Sequence, residues 1–372
     1  MAKNGKISGI IVAAGYSSRM GVFKPLLPLG EKTVIETAVN SLRRGGIQDI
    51  RVVTGYQGEK IHAVLEGFEG RVLDNPLYPE GMFSSILAGI RSLEPDTQAF
   101  LLLPGDNPLI RRHSIKEILR VYRKTGAAVV YPVFNGKRGH PPLISAKCFP
   151  AIRQSDGAGG LRDILARFEA DSAEAEVVDE GILMDVDTVD DYRKLMEYHQ
   201  SRSIPTDAEC YAMLRKYQAD SRVLRHGQAV AAIGCALASA LNQVGQQLDI
   251  RLVAASCVIH DLAKGKPNHA KRGSKLLSCM EFSRLQGIVA SHMDMKFSPQ
   301  DAINEEAIVF LADKLVQGDK RVSLAERFNP ALQRFHGNPE ILTAIQRKIN
   351  TAETIKKKAL CILGAKQFGQ LA

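Results

Sequence analysis

The chain has 372 residues, 45% hydrophobic and 24% charged, which is the balance of a folded protein and more length than one core usually organises. No stretch reaches the roughly 18 consecutive apolar residues of a membrane helix, and the longest, "AVAAIGCALASAL" from Ala229, is short and made of small residues. Residues 1–199 carry 25 Lys+Arg against 25 Asp+Glu and residues 200–372 carry 24 against 15, so the whole net charge of +9 lies in the C-terminal half.

The opening "MAKNGKISGIIVAAG" has basic residues and an apolar run too brief for a secretory signal. A cytoplasmic location is the expectation. "SGIIVAAG" reads as a strand, "TVIETAVNSLRRGG" as a helix with a glycine stop, "DIRVVTGY" as a strand, "EKIHAVLEG" as a helix and "RVLDNP" as a strand. "SSILAGIRSL" and "HSIKEILRVYRKTG" then read as helices, "AFLLLPGDNP" and "AAVVYPVF" as strands. Apolar strands joined by amphipathic helices predict a parallel sheet covered on both faces, with ligands at the carboxyl ends of its strands.

The texture changes after "MDVDTVDDYRKLMEYHQ". "SRSIPT" reads as a linker, and beyond it apolar residues recur at three and four spacing. "AECYAMLRKY", "HGQAVAAIGCALASALNQVG", "IRLVAASCVIHDLAKG" and "EEAIVFLADKLV" are predicted helices. The predicted organisation is an α/β domain over 1–199, an all-α domain over 207–325 and a basic helical tail over 326–372. "IKKKAL" in that tail reads as a solvated face. Cys148, Cys210, Cys235, Cys257, Cys279 and Cys361 form no C-x-x-C pair, and buried free thiols are expected.

The stretch "IIVAAGYSSRMGVFKPLLPLG" leaves an apolar strand through small residues and sets Arg19 and Lys24 behind the turn. Ala13, Ala14 and Gly15 allow a ligand close to the backbone N–H groups, which can donate to phosphate together with Ser17 and Ser18. Arg19 and Lys24 add positive charge for a triphosphate and a departing pyrophosphate. "LLLPGDNP" places Asp106 just past a strand, where a carboxylate can hold Mg²⁺, and "LMDVDTVDD" offers Asp185 and Asp187 as further contributors. Arg19, Lys24 and Asp106 are the catalytic candidates.

"VAAGYSSRMGVFK" resembles the L-A-A-G-x-S-x-R-M-G-x-x-K signature of the molybdenum cofactor nucleotidyltransferases. The resemblance continues through "DNPLYPEGMFSSILAGI", "LLPGDNP", "GKRGHPPLI", "DGAGGLRDIL" and "GILMDVDTVDDY", in family order. It implies a Rossmann-like nucleotidyltransferase fold, with Mg²⁺ on Asp106 and Asp187 and nucleotide contacts from Asn75, Gly81, Ser84 and Ser85. Ala14 stands where the cytidylyl and guanylyl branches differ, and "RGHP" is closer to the cytidylyl branch. Val12 replaces the usual Leu. The implied reaction transfers CMP from CTP to molybdopterin, with pyrophosphate leaving and His140 facing the pterin. The implied partners are CTP, molybdopterin and a recipient molybdoenzyme or its chaperone. No membrane or nucleic acid is expected.

A second constellation lies on the predicted helices. His226, His260, His269 and His292 fall among apolar segments together with Asp261 and Asp313. Burying so many ionisable groups is unfavourable unless something pairs with them, and imidazole with carboxylate suits Mn²⁺, Fe²⁺, Zn²⁺ or Co²⁺. The H…HD…D order resembles the HD superfamily of metal-dependent phosphohydrolases. It implies His226, His260, Asp261 and Asp313 as ligands, His269 and His292 as the extra histidines of two-metal members, and Lys264 against a substrate phosphate. The implied activity is phosphoester hydrolysis, with the metal activating water. The competing readings are nucleotidyl transfer to another acceptor, such as a polyol or isoprenoid phosphate, use of GTP, and an HD domain that binds nucleotides as a regulatory module.

Overall fold

The computed structural model describes residues 5–18, 20–365 and 368–369. The chain divides into two compact units, Met1–Arg202 and Ser203–Ala372.

The first unit is built on β1 (Lys6–Ala13), β2 (Pro28–Leu29), β3 (Lys32–Thr33), α1 (Val34–Gly45), β4 (Asp49–Thr54), α2 (Gly58–Val64), β5 (Arg71–Asp74), α3 (Met82–Arg91) and β6 (Thr97–Pro104). It continues with α4 (Arg112–Thr125), β7 (Val129–Phe134), β8 (Lys137–Arg138), β9 (Leu143–Ser145), α5 (Phe149–Gln154), α6 (Gly160–Ala166), β10 (Ser172–Glu176) and α7 (Val189–Ser201). The main sheet runs β10-β7-β9-β6-β1-β4-β5, with β8 added on β7. Its centre is apolar on both faces: Ile10 and Val12 of β1, Val53 of β4 and Phe100 and Leu102 of β6 pack under α3 and α5. Thr33 starts α1 by accepting from Glu36 N–H while the Glu36 carboxylate reaches back, and Gly46 ends it in the left-handed region.

The sheet is mixed, not all-parallel. Asn135 and Gly136, with φ of 51° and 77°, reverse the chain between β7 and β8. The returning β9 is inserted between β6 and β7 and runs antiparallel to both, pairing Leu143 with Leu101 and Ile144 with Val129. Strands of two and three residues next to two prolines carry too little period-two signal to be read from sequence.

The second unit contains α8 (Asp207–Lys216), α9 (Ser221–Gln243), α10 (Ile250–Ile259), α11 (His269–Cys279), α12 (Gln286–Ser291) and α13 (Glu305–Lys314). A hairpin follows, β11 (Val316–Gln317) with β12 (Lys320–Arg321), and then α14 (Leu324–Arg334) and α15 (Pro339–Leu363). The predicted helix through "IHDLAKG" stops at Ile259, so the His-Asp pair sits at the helix end and in the turn after it. Helix α15 packs on α13 and α14 through Ile345, Ala352, Ile355, Ala359 and Leu363, so this basic segment supplies core residues as well as a solvated face. All six cysteines are free; Cys148, Cys210 and Cys257 are buried, whereas Cys279 and Cys361 are exposed. Among the described residues no helix is long and apolar enough to cross a membrane.

Candidate nucleotide and metal centres

Strand β1 delivers Ala13 and Ala14 to the carboxyl edge of the sheet nearly buried, and the chain then opens at Gly15 and Ser18. A Cβ added at Gly15 would meet nothing within 4 Å, so free space lies over this turn. Ser17 adopts the left-handed conformation, and its hydroxyl accepts from the Lys24 N–H at 3.1 Å, closing the loop. Arg19 lies outside the described residues.

Lys24 is 8% exposed and its ammonium reaches two carboxylates from different loops, Asp187 at 2.6 Å and Asp106 at 3.5 Å. The Val186 N–H donates to the Asp106 carbonyl and the Asn107 amide to the Met184 carbonyl, which clips the 184–187 segment onto the end of β6. Burial pushes the Asp106 carboxyl up, opposed by Lys24 and reinforced by the negative charge of Asp185. Two carboxylates converging on one cation form an oxygen donor set of the kind that binds Mg²⁺. The His140 backbone N–H donates to the Ile182 carbonyl, the ring Nδ1 is buried without a hydrogen-bond partner, and burial holds the ring below the usual imidazole range.

Asn75, Gly81, Ser84 and Ser85 come together, but three of them spend their polar atoms on each other. The Asn75 amide donates to Ser84 at 2.9 Å and to Ser85 at 3.0 Å, and its oxygen accepts from Leu77 N–H. Asn75 and Ser85 are buried, so in this arrangement they shape the loop. Sequence reading missed an aromatic cluster over the same edge: the Tyr16 ring lies 5.2 Å from Tyr56 and 5.3 Å from Tyr78. The signal was present, one tyrosine just beyond each of β1, β4 and β5.

In the second unit six side chains from five helices and one turn converge. His226 comes from α9, His260 from the end of α10, Asp261 from the following turn, His269 from the start of α11, His292 from the end of α12 and Asp313 from α13. Asp313 Oδ1 lies 3.1 Å from His226 Nε2 and 3.6 Å from His260 Nε2. Asp261 turns Oδ2 to His260 at 3.5 Å and Oδ1 to His269 and His292 at 3.3 and 3.6 Å. His226, His260 and His292 each place Nδ1 against a backbone carbonyl, of Gly318, Cys257 and Val289, at 2.7–2.8 Å. Donation from Nδ1–H orients each ring with Nε2 pointing inward, the atom that a metal-ligating histidine offers. The buried His260 Nε2 has no hydrogen-bond partner. Among the described residues two three-residue groups have metal-holding geometry, His226–His260–Asp261 and Asp261–His269–His292, and they share Asp261.

Burial alone would raise the Asp261 carboxyl, but His292, His260 and Lys264 outweigh it and hold it far below the usual carboxylate range. Asp313 is likewise held down against burial by Lys314, His226 and His260. Lys264 donates to Asp261 Oδ2 at 2.6 Å. Sequence reading missed Lys314, which is 4% exposed and donates to Asp313 Oδ2 at 2.5 Å and to the His292 carbonyl at 3.0 Å. The lysine follows Asp313 directly in "FLADKLV", an adjacent opposite charge in an apolar helix.

Residues 9–174 match the MobA-like NTP transferase domain and residues 223–317 match the HD domain. The molybdenum cofactor cytidylyltransferase of Escherichia coli (strain K12) is 31% identical over 187 residues, covering 50% of this chain and 93% of that protein. The chain belongs to the MobA-like NTP transferase family. It is a nucleotidyltransferase of that family that carries a second domain from the HD phosphohydrolase family. The nicotine blue oxidoreductase of Paenarthrobacter nicotinovorans is 27% identical over 197 residues, 51% of this chain and 96% of that protein. A bifunctional IPC transferase and DIPP synthase of Rubrobacter xylanophilus is 38% identical over 129 residues, 33% of this chain and 29% of that protein.

Proposed function

We propose that the first unit transfers CMP from CTP to molybdopterin and that the second hydrolyses a phosphoester. The observation that carries the first reading is Lys24 drawn between Asp106 and Asp187 behind the Ala-Ala-Gly turn, at the carboxyl edge of β1 and β6. The terminal phosphate oxygen of molybdopterin bonds to the α-phosphorus of CTP. The bond to the bridging oxygen breaks, and pyrophosphate departs with the electron pair. Asp106 and Asp187 would hold Mg²⁺, which supplies charge neutralisation on the phosphates. The Lys24 ammonium sits beside that pair and takes up the charge developing on pyrophosphate, with Arg19, five residues earlier in the sequence, as a second cation. Ser17, Ser18 and the backbone N–H groups around Gly15 orient the triphosphate, and His140 faces the pterin. Ala14 supports CTP over GTP through its resemblance to the cytidylyl branch, and a molybdoenzyme or its chaperone would receive the product.

The test is pyrophosphate release by the purified chain with Mg²⁺ and molybdopterin. Release with CTP and not with GTP is expected. A preference for GTP would overturn the nucleotide, and no release with either would overturn the acceptor. The match over 129 residues to the IPC transferase and DIPP synthase supports a second reading, transfer to another phosphorylated acceptor, and polyol and isoprenoid phosphates belong in the same assay.

In the second unit His226, His260, Asp261 and Asp313 would hold one divalent transition metal and Asp261, His269 and His292 a second, supplying activation of water. The inward Nε2 atoms and the shared Asp261 support this reading. Bound Mn, Fe, Zn or Co together with phosphatase or phosphodiesterase turnover is the expected result. Bound metal without turnover of any phosphoester would make the domain a regulatory module.

A further inference from the structure

A cavity of about 1190 Å³ opens beside the HD centre and reaches Asp261 and His226. Its wall is basic to an extent that the metal centre does not use. Lys264, Lys266, Arg272, Lys275 and Arg327 line it, and Lys264 alone of these is engaged, by Asp261. Lys266, Arg272, Lys275 and Arg327 have no acidic partner among the described residues, and the buried Arg327 Nε has no hydrogen-bond partner at all. The one other acid in the wall, Asp220, is already occupied by Arg222 at 2.8 Å.

The cations are also ordered. His269 begins α11 with its Nε2 3.3 Å from Asp261, and Arg272 and Lys275 follow on the same helix and line the cavity. At about 1.5 Å of rise per residue they lie about 4.5 and 9 Å farther along the axis. A single phosphate at the metal centre would leave both without a counter-charge. A chain of linked phosphates reaching outward from the centre would meet each in turn, and its charge would match a wall of uncompensated cations. The cavity is larger than pyrophosphate needs and somewhat exceeds the usual range for small-molecule sites, roughly 300–1,000 Å³.

We infer that the HD cleft binds molecules bearing two or more linked phosphates, with the terminal phosphate at the His/Asp centre and the inner ones along Arg272 and Lys275. This rests on the hydrolase reading given above. Hydrolysis adds one water across a P–O–P link: water oxygen bonds to the terminal phosphorus, the bridging oxygen leaves with the electron pair, and a proton passes to solvent. Nucleoside triphosphates and inorganic polyphosphates share this chemistry.

The test uses the full chain with Mn²⁺ and follows phosphate release from CTP, tripolyphosphate, pyrophosphate and a phosphate monoester. The rate of an Asp261→Asn chain is subtracted from each. The kcat/KM for a triphosphate should exceed that for the monoester by about tenfold or more. The Arg272→Gln Lys275→Gln double variant should bring that ratio towards one, chiefly through KM. Faster release from CTP than from tripolyphosphate identifies a nucleotide as the source, and the reverse identifies the inorganic chain. Monoester turnover with no preference for linked phosphates, or a preference that survives the double variant, would overturn the inference and leave the hydrolase reading standing. No Asp261-dependent release from any compound would remove both.

Discussion

Replacing Lys314 by Met separates a structural role for this lysine from one tied to the metal centre. Lys314 and Asp313 are each 4% exposed and their charged atoms lie 2.5 Å apart. Removing one partner of a buried ion pair costs about 3–5 kcal/mol, mostly because the other charge is left uncompensated. Asp313 retains His226 at 3.1 Å, so the lower end, about 3 kcal/mol, applies to the metal-free protein. For a unit of this size 1 kcal/mol shifts the melting temperature by about 2–4 °C, which predicts a fall of about 6–12 °C. A bound divalent cation would compensate Asp313 itself, so with Mn²⁺ the fall should shrink to a third. By linkage, the difference of about 2 kcal/mol appears as roughly 30-fold tighter Mn²⁺ binding in the variant. Calorimetry of the full chain, with chelator and with Mn²⁺, follows the transition that moves on adding metal, and Lys314→Arg serves as the charge-retaining control. A fall of equal size in both conditions, or weaker Mn²⁺ binding, would refute the reasoning.

Asp106→Ala should abolish pyrophosphate release, and Lys24→Ala should reduce it by about 10²–10³, as expected for loss of a donor to developing charge; retained activity in the Asp106 variant would remove it from the metal site. Ala14→Gly should lower the CTP-to-GTP ratio of kcat/KM by about tenfold, the scale of one methyl group in a pocket, and an unchanged ratio would break the link between that residue and nucleotide choice. Burial holds the His140 and His199 rings below the usual imidazole range, so below about pH 6.5 the unfolded chain binds more protons than the folded one. Stability of the first unit should therefore fall as the pH drops through that window. Urea titrations at pH 7.5 and 5.5 would test this, with His140→Asn flattening the profile and a flat wild-type profile contradicting it.

The parts of the fold legible in sequence were those where burial demands a long apolar run. Strands β1, β4, β6 and β7 form most of the centre of the sheet, and their buried residues leave apolar runs, interrupted in β4 by Arg51, which is fully buried and paired with Asp49 at 2.6 Å. Strand β9 stayed hidden because three residues suffice when both neighbours are already in place, and β10 because "SAEAE" borders the sheet with only Ala175 fully buried. At the sites the same physics worked in reverse. His226, His260, Asp261, His269, His292 and Asp313 stood out because ionisable groups are misplaced in apolar helices without a partner. Sequence did not reveal that His260 ends its helix, which turns its ring and that of His292 towards Asp261 from separate elements. Nor did a loop motif distinguish residues that face a ligand from those that hold the loop: Asn75 with Ser84 and Ser85 has the composition of a polar pocket and the hydrogen bonds of a scaffold.

The two centres share a physical device that neither motif describes. Each carboxylate assigned to a metal is met by a lysine: Lys24 on Asp187 at 2.6 Å, Lys264 on Asp261 at 2.6 Å, Lys314 on Asp313 at 2.5 Å. Gathering several desolvated acids without a cation would push the centres apart or protonate them, and a lysine nearby keeps the site assembled and ionised. The three differ in where the lysine can go. Lys264 is half exposed, and Lys24, although buried, is tied through its backbone N–H to Ser17 of the turn proposed for phosphate, so either has a substrate anion to turn to when a metal ion takes its place. Lys314 is enclosed, holds the His292 carbonyl with the same ammonium and packs over Phe310 at 4.7 Å, so it has no anion to move to. It must therefore remain beside any ion that arrives, and its fixed charge weakens metal binding while stabilising the empty centre. Lys24 and Lys264 are then groups exchanged during binding, and Lys314 is a permanent counterweight that sets how readily the HD centre fills and empties.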